Sequence, residues 1–225
     1  MVGARRIDGL DRLISRFAAV PYTGAITDVL DELGYRNQTL PRELRPLDPA
    51  ATIAGRAMTV TGEPTTSTDP DVIFVPYLRM LGDLGSGHIV VSQPGDDRCA
   101  HFGELSCETA RSRGAAGAVI DGGVRDTAFI IRQRFPVFAR YSTPEDLVGR
   151  WRLTSYGTPI EIGGVGIRAN DVVVGDRDGV VVVPLEVAGQ VIDAVEAVVA
   201  TEALVRRDIL AGAHPLEAFR RHGRF

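Results

Sequence analysis

Apolar residues recur at helical spacing near the start of the chain. Leu10, Leu13, Ile14 and Phe17 share one face and predict a helix over 7–17. Thr23 offers an N-cap to a second helix carrying Ile26, Val29, Leu30 and Leu33, which Gly34 stops. Residues 35–50, with Pro41, Pro46 and Pro49, predict a linker. Residues 52–61 are β-like, 62–71 predict an exposed loop, and 73–81 predict a helix. An α/β alternation follows: strand 88–92, loop 94–97, helix 103–113, the wholly apolar strand Ala118-Val-Ile120, helix 126–134 and strand 136–139. Strand, helix and strand in quick succession predict a parallel sheet. After Trp151 the pattern turns to β, with short strands at 160–162, 165–167, 172–174 and 180–183. Asp178-Gly179 predicts a type I′ hairpin turn between the last two. Val187, Val191, Val195, Val198, Val205 and Ile209 then stripe one long helix over 185–210.

The fold class expected is therefore α/β, with a central sheet flanked by helices and one long C-terminal helix. The 225 residues are enough for a core without disulfides, and no repeat or composition break divides them. One domain over 1–225 is expected, with N-terminal helices at about 7–34. The net charge of −4 gives no reason to expect a nucleic-acid or membrane-surface partner. No apolar run reaches transmembrane length, and the first 17 residues lack a signal-peptide core. With two cysteines, the expected setting is the reducing cytoplasm.

One absence changes the chemistry. All 25 basic residues are Arg, and there is no Lys. A Schiff-base lysine, a pyridoxal-phosphate lysine and a P-loop lysine are excluded together. Carbonyl chemistry here needs a metal or hydrogen-bond donors as its electron sink.

Two segments could supply it. Asp121-Gly-Gly-Val-Arg-Asp126 follows a buried strand and precedes a helix, where open α/β sheets place their ligands. Its glycines would allow a sharp turn, Arg125 could fork onto a carboxylate, and Asp126 is a hard oxygen ligand suited to Mg²⁺ or Mn²⁺. Gly103-Glu-Leu-Ser106 opens the preceding helix, where backbone N–H groups lack partners and bind anions. Each segment alone reads as a cap or turn. Side by side on adjacent parallel strands, they hold the partners a small 2-oxo acid needs.

Other segments carry less. Gly164-Val-Gly-Ile-Arg-Ala169 opens no helix and is rejected as a dinucleotide loop. Asp176-Arg-Asp-Gly179 lacks the closing Glu of a calcium loop. Cys99, His101 and Cys107 match no common zinc spacing, although His101 stands beside the anion loop as a candidate proton shuttle.

Phe102-Gly-Glu-Leu105 with Gly114-Ala-Ala-Gly-Ala-Val-Ile-Asp-Gly-Gly-Val-Arg-Asp126 resembles the RraA-like family, as do Phe135-Pro-Val-Phe138 and Asp178-Gly-Val-Val-Val-Val-Pro184. That family includes the divalent-metal-dependent 4-hydroxy-4-methyl-2-oxoglutarate/4-carboxy-4-hydroxy-2-oxoadipate aldolases. It also includes proteins named as regulators of RNase E. The resemblance implies a swivelling β/β/α domain, assembled as a homotrimer or hexamer with sites between subunits. It implies that the backbone of Gly103, Glu104, Leu105 and Ser106 holds a pyruvyl carboxylate. Arg125 would contact substrate oxygens, Asp126 the Mg²⁺ or Mn²⁺, and Glu104 would act through water. Glu202 is the match to an acidic residue donated by a neighbouring subunit. The activity implied is lyase cleavage of 4-hydroxy-2-oxo acids to pyruvate, with oxaloacetate decarboxylation. The alternatives are an RNase-binding regulator and another metal-enolate reaction on a 2-oxo acid.

Overall fold

The valine runs Val172-Val-Val174 and Val180-Val-Val-Val183 show how this sheet is built. Successive strand residues face opposite sides. Val173, Val180 and Val182 enter one core, while Val172, Val174, Val181 and Val183 enter another. A strand buried on both faces has no position for a polar residue, so the run is continuous. Each buried valine contributes about 1.5–3 kcal/mol.

The computed structural model describes residues 2–225, with side chains from Gly9 onward. The chain begins with α1 (Val2–Ala18), α2 (Gly24–Glu32), β1 (Arg45–Pro46), β2 (Ile53–Pro64) and α3 (Pro70–Gly82). Next come β3 (His88–Gln93), β4 (Ala100–Phe102), α4 (Glu104–Ser112), β5 (Gly117–Val124), α5 (Thr127–Arg132) and β6 (Val137–Ser142). It ends with β7 (Trp151–Tyr156), β8 (Ile160–Ile162), β9 (Val165–Ile167), β10 (Val172–Gly175), β11 (Val180–Val183), α6 (Ala188–Leu210) and α7 (Pro215–His222).

The main sheet runs β1-β6-β5-β3-β2-β10-β11, with β4 added to β5 and β7 to β2. Its centre is parallel, as expected: β2 with β3, β3 with β5, and β5 with β6. The sheet curls into a half-barrel with helices around it. Val90, Ala118, Ile120 and Val137 pack with Ile73 and Met80 of α3, Ala110 of α4 and Ile130 of α5. Ile89, Val91, Val119 and Phe138 face the opposite core, which the β8–β9 hairpin helps fill. Val191, Ile192 and Val195 of α6 cover β10 and β11 together with Phe17, Ile26 and Leu30. The α/β class with a long C-terminal helix is thus the observed one. That helix starts three residues later than its stripe predicts, after a turn at 185–187, and is about 34 Å long.

Several local expectations are corrected. The segment expected as a loop from residue 62 begins as strand, because β2 continues to Pro64 and pairs antiparallel with β7. Gly62 allows this: a β-carbon there would collide with the Trp151 ring. The β10–β11 hairpin forms, but its turn is not type I′, since neither Asp178 nor Gly179 has positive φ. The Asp176 carboxylate makes the turn instead, accepting the Asp178 and Gly179 N–H groups at 2.8 and 3.4 Å. The same carboxylate accepts the Thr23 N–H at 2.7 Å, which ties the start of α2 to the hairpin. Gly122 and Gly123 are not turn residues either. Both lie in β5 beside a register shift between Ile120 and Gly123, and neither has positive φ. Their missing side chains make room: a β-carbon at Gly122 would lie 2.9 Å from His101 Nδ1, and one at Gly123 2.6 Å from the Cys99 carbonyl oxygen. No helix among the described residues is long and apolar enough to cross a membrane.

Candidate active site

The carboxyl ends of β4 and β5 create the site. The strands are parallel neighbours, with Phe102 paired to Val124. The Arg125 N–H donates to the Phe102 carbonyl at 3.0 Å. Gly103 and the Arg125–Asp126 pair therefore leave the sheet side by side, as the two motifs predicted. The strand responsible is β4, which the sequence pattern did not mark as a separate element.

Helix α4 begins at Glu104 on an extended Gly103 (φ −146°, ψ −167°) that has no side chain to cap it. Asp126 supplies the cap from the adjacent loop: its Oδ2 accepts the Glu104 N–H at 3.2 Å. To do so, Asp126 sits at φ 57°, in the left-handed region that Asp and Asn tolerate better than most residues. The first intrahelical bond is Cys107 N–H to the Gly103 carbonyl, at 2.9 Å. The Leu105 and Ser106 N–H groups in that first turn have no intrahelical acceptor and lie at the positive end of the helix.

Arg125 is held at two points. Its Nε lies 3.5 Å from Asp126 Oδ2, and its Nη1 3.2 Å from Asp146 Oδ1. The guanidinium and both carboxylates remain about 40 % exposed, at 39 %, 39 % and 42 %. The charges are thus fixed yet open to a ligand. The buried Tyr77 hydroxyl, which also lines this site, donates to the His101 carbonyl at 2.9 Å and lies 3.0 Å from Ser106 Oγ. Its one proton goes to the carbonyl, so the Ser106 hydroxyl is the donor in the second bond. Burial pushes the Tyr77 phenol up to about 12, with the Ser106 bond and the Arg125 charge opposing.

These groups line a cavity of about 270 Å³. Gly103, Glu104, Leu105, Ser106, Arg125 and Asp126 all border it. Glu104 is half-buried, and its carboxylate has no partner among the described residues. Leu105 turns its side chain to solvent, leaving its backbone to the cavity. Glu202 is elsewhere in its own chain: on α6 it meets the Tyr22 hydroxyl and, at 3.7 Å, Arg224 Nε. Asp146 and Tyr77 were not legible in the sequence. Asp146 belongs to the segment after β6 and Tyr77 to α3, and neither carries a local motif.

The residues fit a hard divalent cation. Asp126 spends one oxygen on Glu104 and Arg125, and its Oδ1 has no partner among the described residues. Mg²⁺ and Mn²⁺ are commonly held by one or two carboxylates, the rest of the shell coming from water and substrate. Asp126 would hold such an ion at the edge of the cavity.

A second cluster includes His101, which also borders the cavity. Asp96, Cys99 and His101, not the sequence trio with Cys107, bring potential ligand atoms within 4.8 Å of one another. Cys107 Sγ is turned to Gln133 Oε1 at 3.2 Å. The His101 ring is 2 % exposed, and burial brings its pKa down to about 4 against the opposing pull of Asp96. A neutral, buried imidazole bonded to Asp96 is poorly placed to shuttle protons for the cavity.

A family model for RraA-like proteins, described as "Aldolase/RraA", matches residues 23–182. A protein of Halalkalibacterium halodurans named "Putative 4-hydroxy-4-methyl-2-oxoglutarate aldolase" is 33 % identical over 174 residues, 76 % of each chain. Two solved structures share the architecture. One, described as "novel cellulases from microbes associated with the gut ecosystem", is 35 % identical over 86 % of each chain, with a TM-score of 0.81. The other is Streptomyces coelicolor RraAS2, described as an unusual member of the RNase ES inhibitor RraA family. It is 25 % identical over 87 % of this chain and 96 % of its own, with a TM-score of 0.76. From the matched span, the fold and the paired motifs at the strand ends, the chain belongs to the RraA-like family.

Proposed function

We propose that this protein is a divalent-metal-dependent lyase that cleaves 4-hydroxy-2-oxo acids to pyruvate and decarboxylates oxaloacetate at the same site. One observation carries the reading. Two free helix-start amides, a clamped guanidinium and a carboxylate with an unshared oxygen surround one small cavity, in a chain without lysine. The name of the H. halodurans relative supports the same class.

The substrate carboxylate accepts the N–H groups of Leu105 and Ser106 at the positive end of α4. Arg125 donates to the substrate oxygens and is already oriented by Asp146, so little reorganisation accompanies reaction. Mg²⁺ or Mn²⁺ held by Asp126 supplies the electron sink for the 2-oxo group, worth several kcal/mol. As a water held by Glu104 takes the 4-hydroxyl proton, C4 becomes a carbonyl, the C3–C4 bond breaks and its electron pair moves onto the 2-oxo oxygen, towards which Arg125 donates. Glu104 holds a water that returns a proton to C3. With oxaloacetate the leaving group is CO₂, and the same enolate of pyruvate is protonated. A neighbouring subunit of a homotrimer or hexamer brings Glu202 towards the site.

The test is a panel of 4-hydroxy-2-oxo acids and oxaloacetate assayed with Mg²⁺ and with Mn²⁺, reading pyruvate formed. Release that EDTA abolishes and added metal restores is expected. No turnover of any member, or turnover indifferent to EDTA, overturns the reading. A role on polysaccharide has little support, because Asp126 and Asp146 both pair with Arg125 rather than flank an open groove. The likeness to RraAS2 supports one rival, in which a surface of the chain binds an RNase without catalysis. A pull-down that survives Arg125→Ala, with no oxo-acid turnover, would favour it.

A further inference from the structure

We propose that Asp96, Cys99 and His101 form a second cation site, separate from Asp126, that takes a borderline transition-metal ion of the Zn²⁺ type. Asp96 Oδ2 lies 3.1 Å from His101 Nε2 and 3.3 Å from Cys99 Sγ, and the sulfur lies 3.5 Å from Nε2. Bonds of about 2.0 Å to N and O and 2.3 Å to S, in tetrahedral geometry, place such donors roughly 3.3–3.6 Å apart. The triangle already has nearly those sides.

Hydrogen bonding alone does not close this cluster. Four donors converge on one carboxylate oxygen: the Arg98 N–H at 3.2 Å, the Cys99 N–H at 3.1 Å, the thiol and the imidazole. A carboxylate oxygen has about two lone-pair directions. The two backbone amides use that capacity and aim the carboxylate, as outer-shell donors do in metal sites. The thiol and the imidazole then face a crowded acceptor. A cation among Oδ2, Sγ and Nε2 replaces two competing donors with two ligands. On binding, the Cys99 S–H bond breaks, its electron pair goes to the metal and that proton leaves to solvent, while the His101 proton passes from Nε2 to Nδ1 and frees the Nε2 lone pair for the ion.

The surroundings hold the three groups in place. Cys99 is fully buried and Asp96 nearly so. The His101 ring meets the edge of Trp151 at 5.0 Å between centroids, at 78°. The Trp151 indole N–H donates to the Pro94 carbonyl at 2.9 Å, fixing the loop that carries Asp96. Sulfur and imidazole select Zn²⁺ or Co²⁺, whereas the all-oxygen donor at Asp126 suits Mg²⁺. Because β4 leads from His101 into Gly103, the ion would also stiffen the strand that positions the cavity.

Cobalt is the probe. The metal-stripped protein is titrated with CoCl₂, reading the thiolate-to-cobalt charge-transfer absorption, stoichiometry and proton release. One Co²⁺ per chain giving that band is expected, with the band retained in Asp126→Asn and Cys107→Ser and lost in Cys99→Ser. Should Cys99→Ser not fold, His101→Gln and Asp96→Asn report instead, with weakened binding expected in each. No charge-transfer band in folded wild-type protein, or a band that survives Cys99→Ser, overturns the proposal. Neither outcome bears on the pyruvate assay.

Discussion

Gly103 and Asp126 are in contact across two loops, so closely that a β-carbon on Gly103 would stand 2.9 Å from Asp126 Oδ2. It would also stand 3.1 Å from Arg125 Cγ. Gly103 has extended backbone angles that any residue adopts, so its small size alone is at issue. Gly103→Ala should displace the Arg125–Asp126 pair and weaken the Asp126 cap on α4, lowering stability by about 1 kcal/mol. A displacement approaching 1 Å costs about 100-fold in kcat/KM. Steady-state kinetics beside a thermal melt test this.

Asp126 has two roles that substitutions can separate. Asn keeps the left-handed backbone and an oxygen for the Glu104 N–H but removes the charge that would hold a cation. Asp126→Asn should fold with near wild-type stability and lose metal-dependent pyruvate release. Asp126→Ala should lose activity as well and be less stable by about 1–2 kcal/mol, because a β-carbon at positive φ is strained without side-chain compensation. Chemical denaturation of the pair measures the difference.

Asp146 meets the guanidinium at Nη1, whereas Asp126 meets it at Nε. Asp146→Asn should leave Arg125 charged but less well oriented. The expected result is a lower kcat with a smaller change in KM for oxaloacetate. An unchanged kcat would show that Asp126 alone orients the arginine.

Tyr77 supplies a pH dependence. Its phenol is held near 12 by burial, against an ordinary value of 10, so the folded state retains a proton that the unfolded chain gives up. The stability linked to this group is complete below pH 10 and is lost as pH rises from 10 to 12, by roughly 3 kcal/mol. Denaturation midpoints across that range should fall more steeply in wild type than in Tyr77→Phe. At neutral pH, Tyr77→Phe should cost about 1–2 kcal/mol, from an unpaired His101 carbonyl.

Asp208 ties the last two helices together, accepting from Arg221 Nη1 at 2.6 Å and meeting His222 Nε2 at 2.9 Å. These partners hold its carboxyl down to about 2, so the tie is present above the ordinary value near 3.8 and is lost as pH falls towards 2. Asp208→Asn should speed amide exchange and proteolysis in 215–222 and leave the sheet unaffected.

The sequence showed what depended on local pattern. The valine runs, the α6 stripe and the pairing of Gly103 with Arg125 at adjacent strand ends were all legible, because periodicity and strand-to-helix transitions are local signals. Contacts distant in sequence were not. β7 is defined by pairing with β2, about 90 positions away. Gly122-Gly123 suggested a turn because glycine pairs usually make one, yet here they accommodate His101 and the Cys99 carbonyl. The sequence groups Cys99 and His101 with Cys107. The partner observed is Asp96, in an Asp-x-x-Cys-x-His spacing that a turn before a strand can bring to one point. The parts of the site that stayed hidden, Asp146 and Tyr77, come from segments whose own pattern says only loop or amphipathic helix.

The most direct measurement is a crystal structure of the protein soaked with magnesium and pyruvate. The lyase reading requires an ion against Asp126 Oδ1, with the pyruvate carboxylate on the Leu105 and Ser106 amides and an oxygen facing Arg125. Pyruvate bound elsewhere, with no ion beside Asp126, would contradict it.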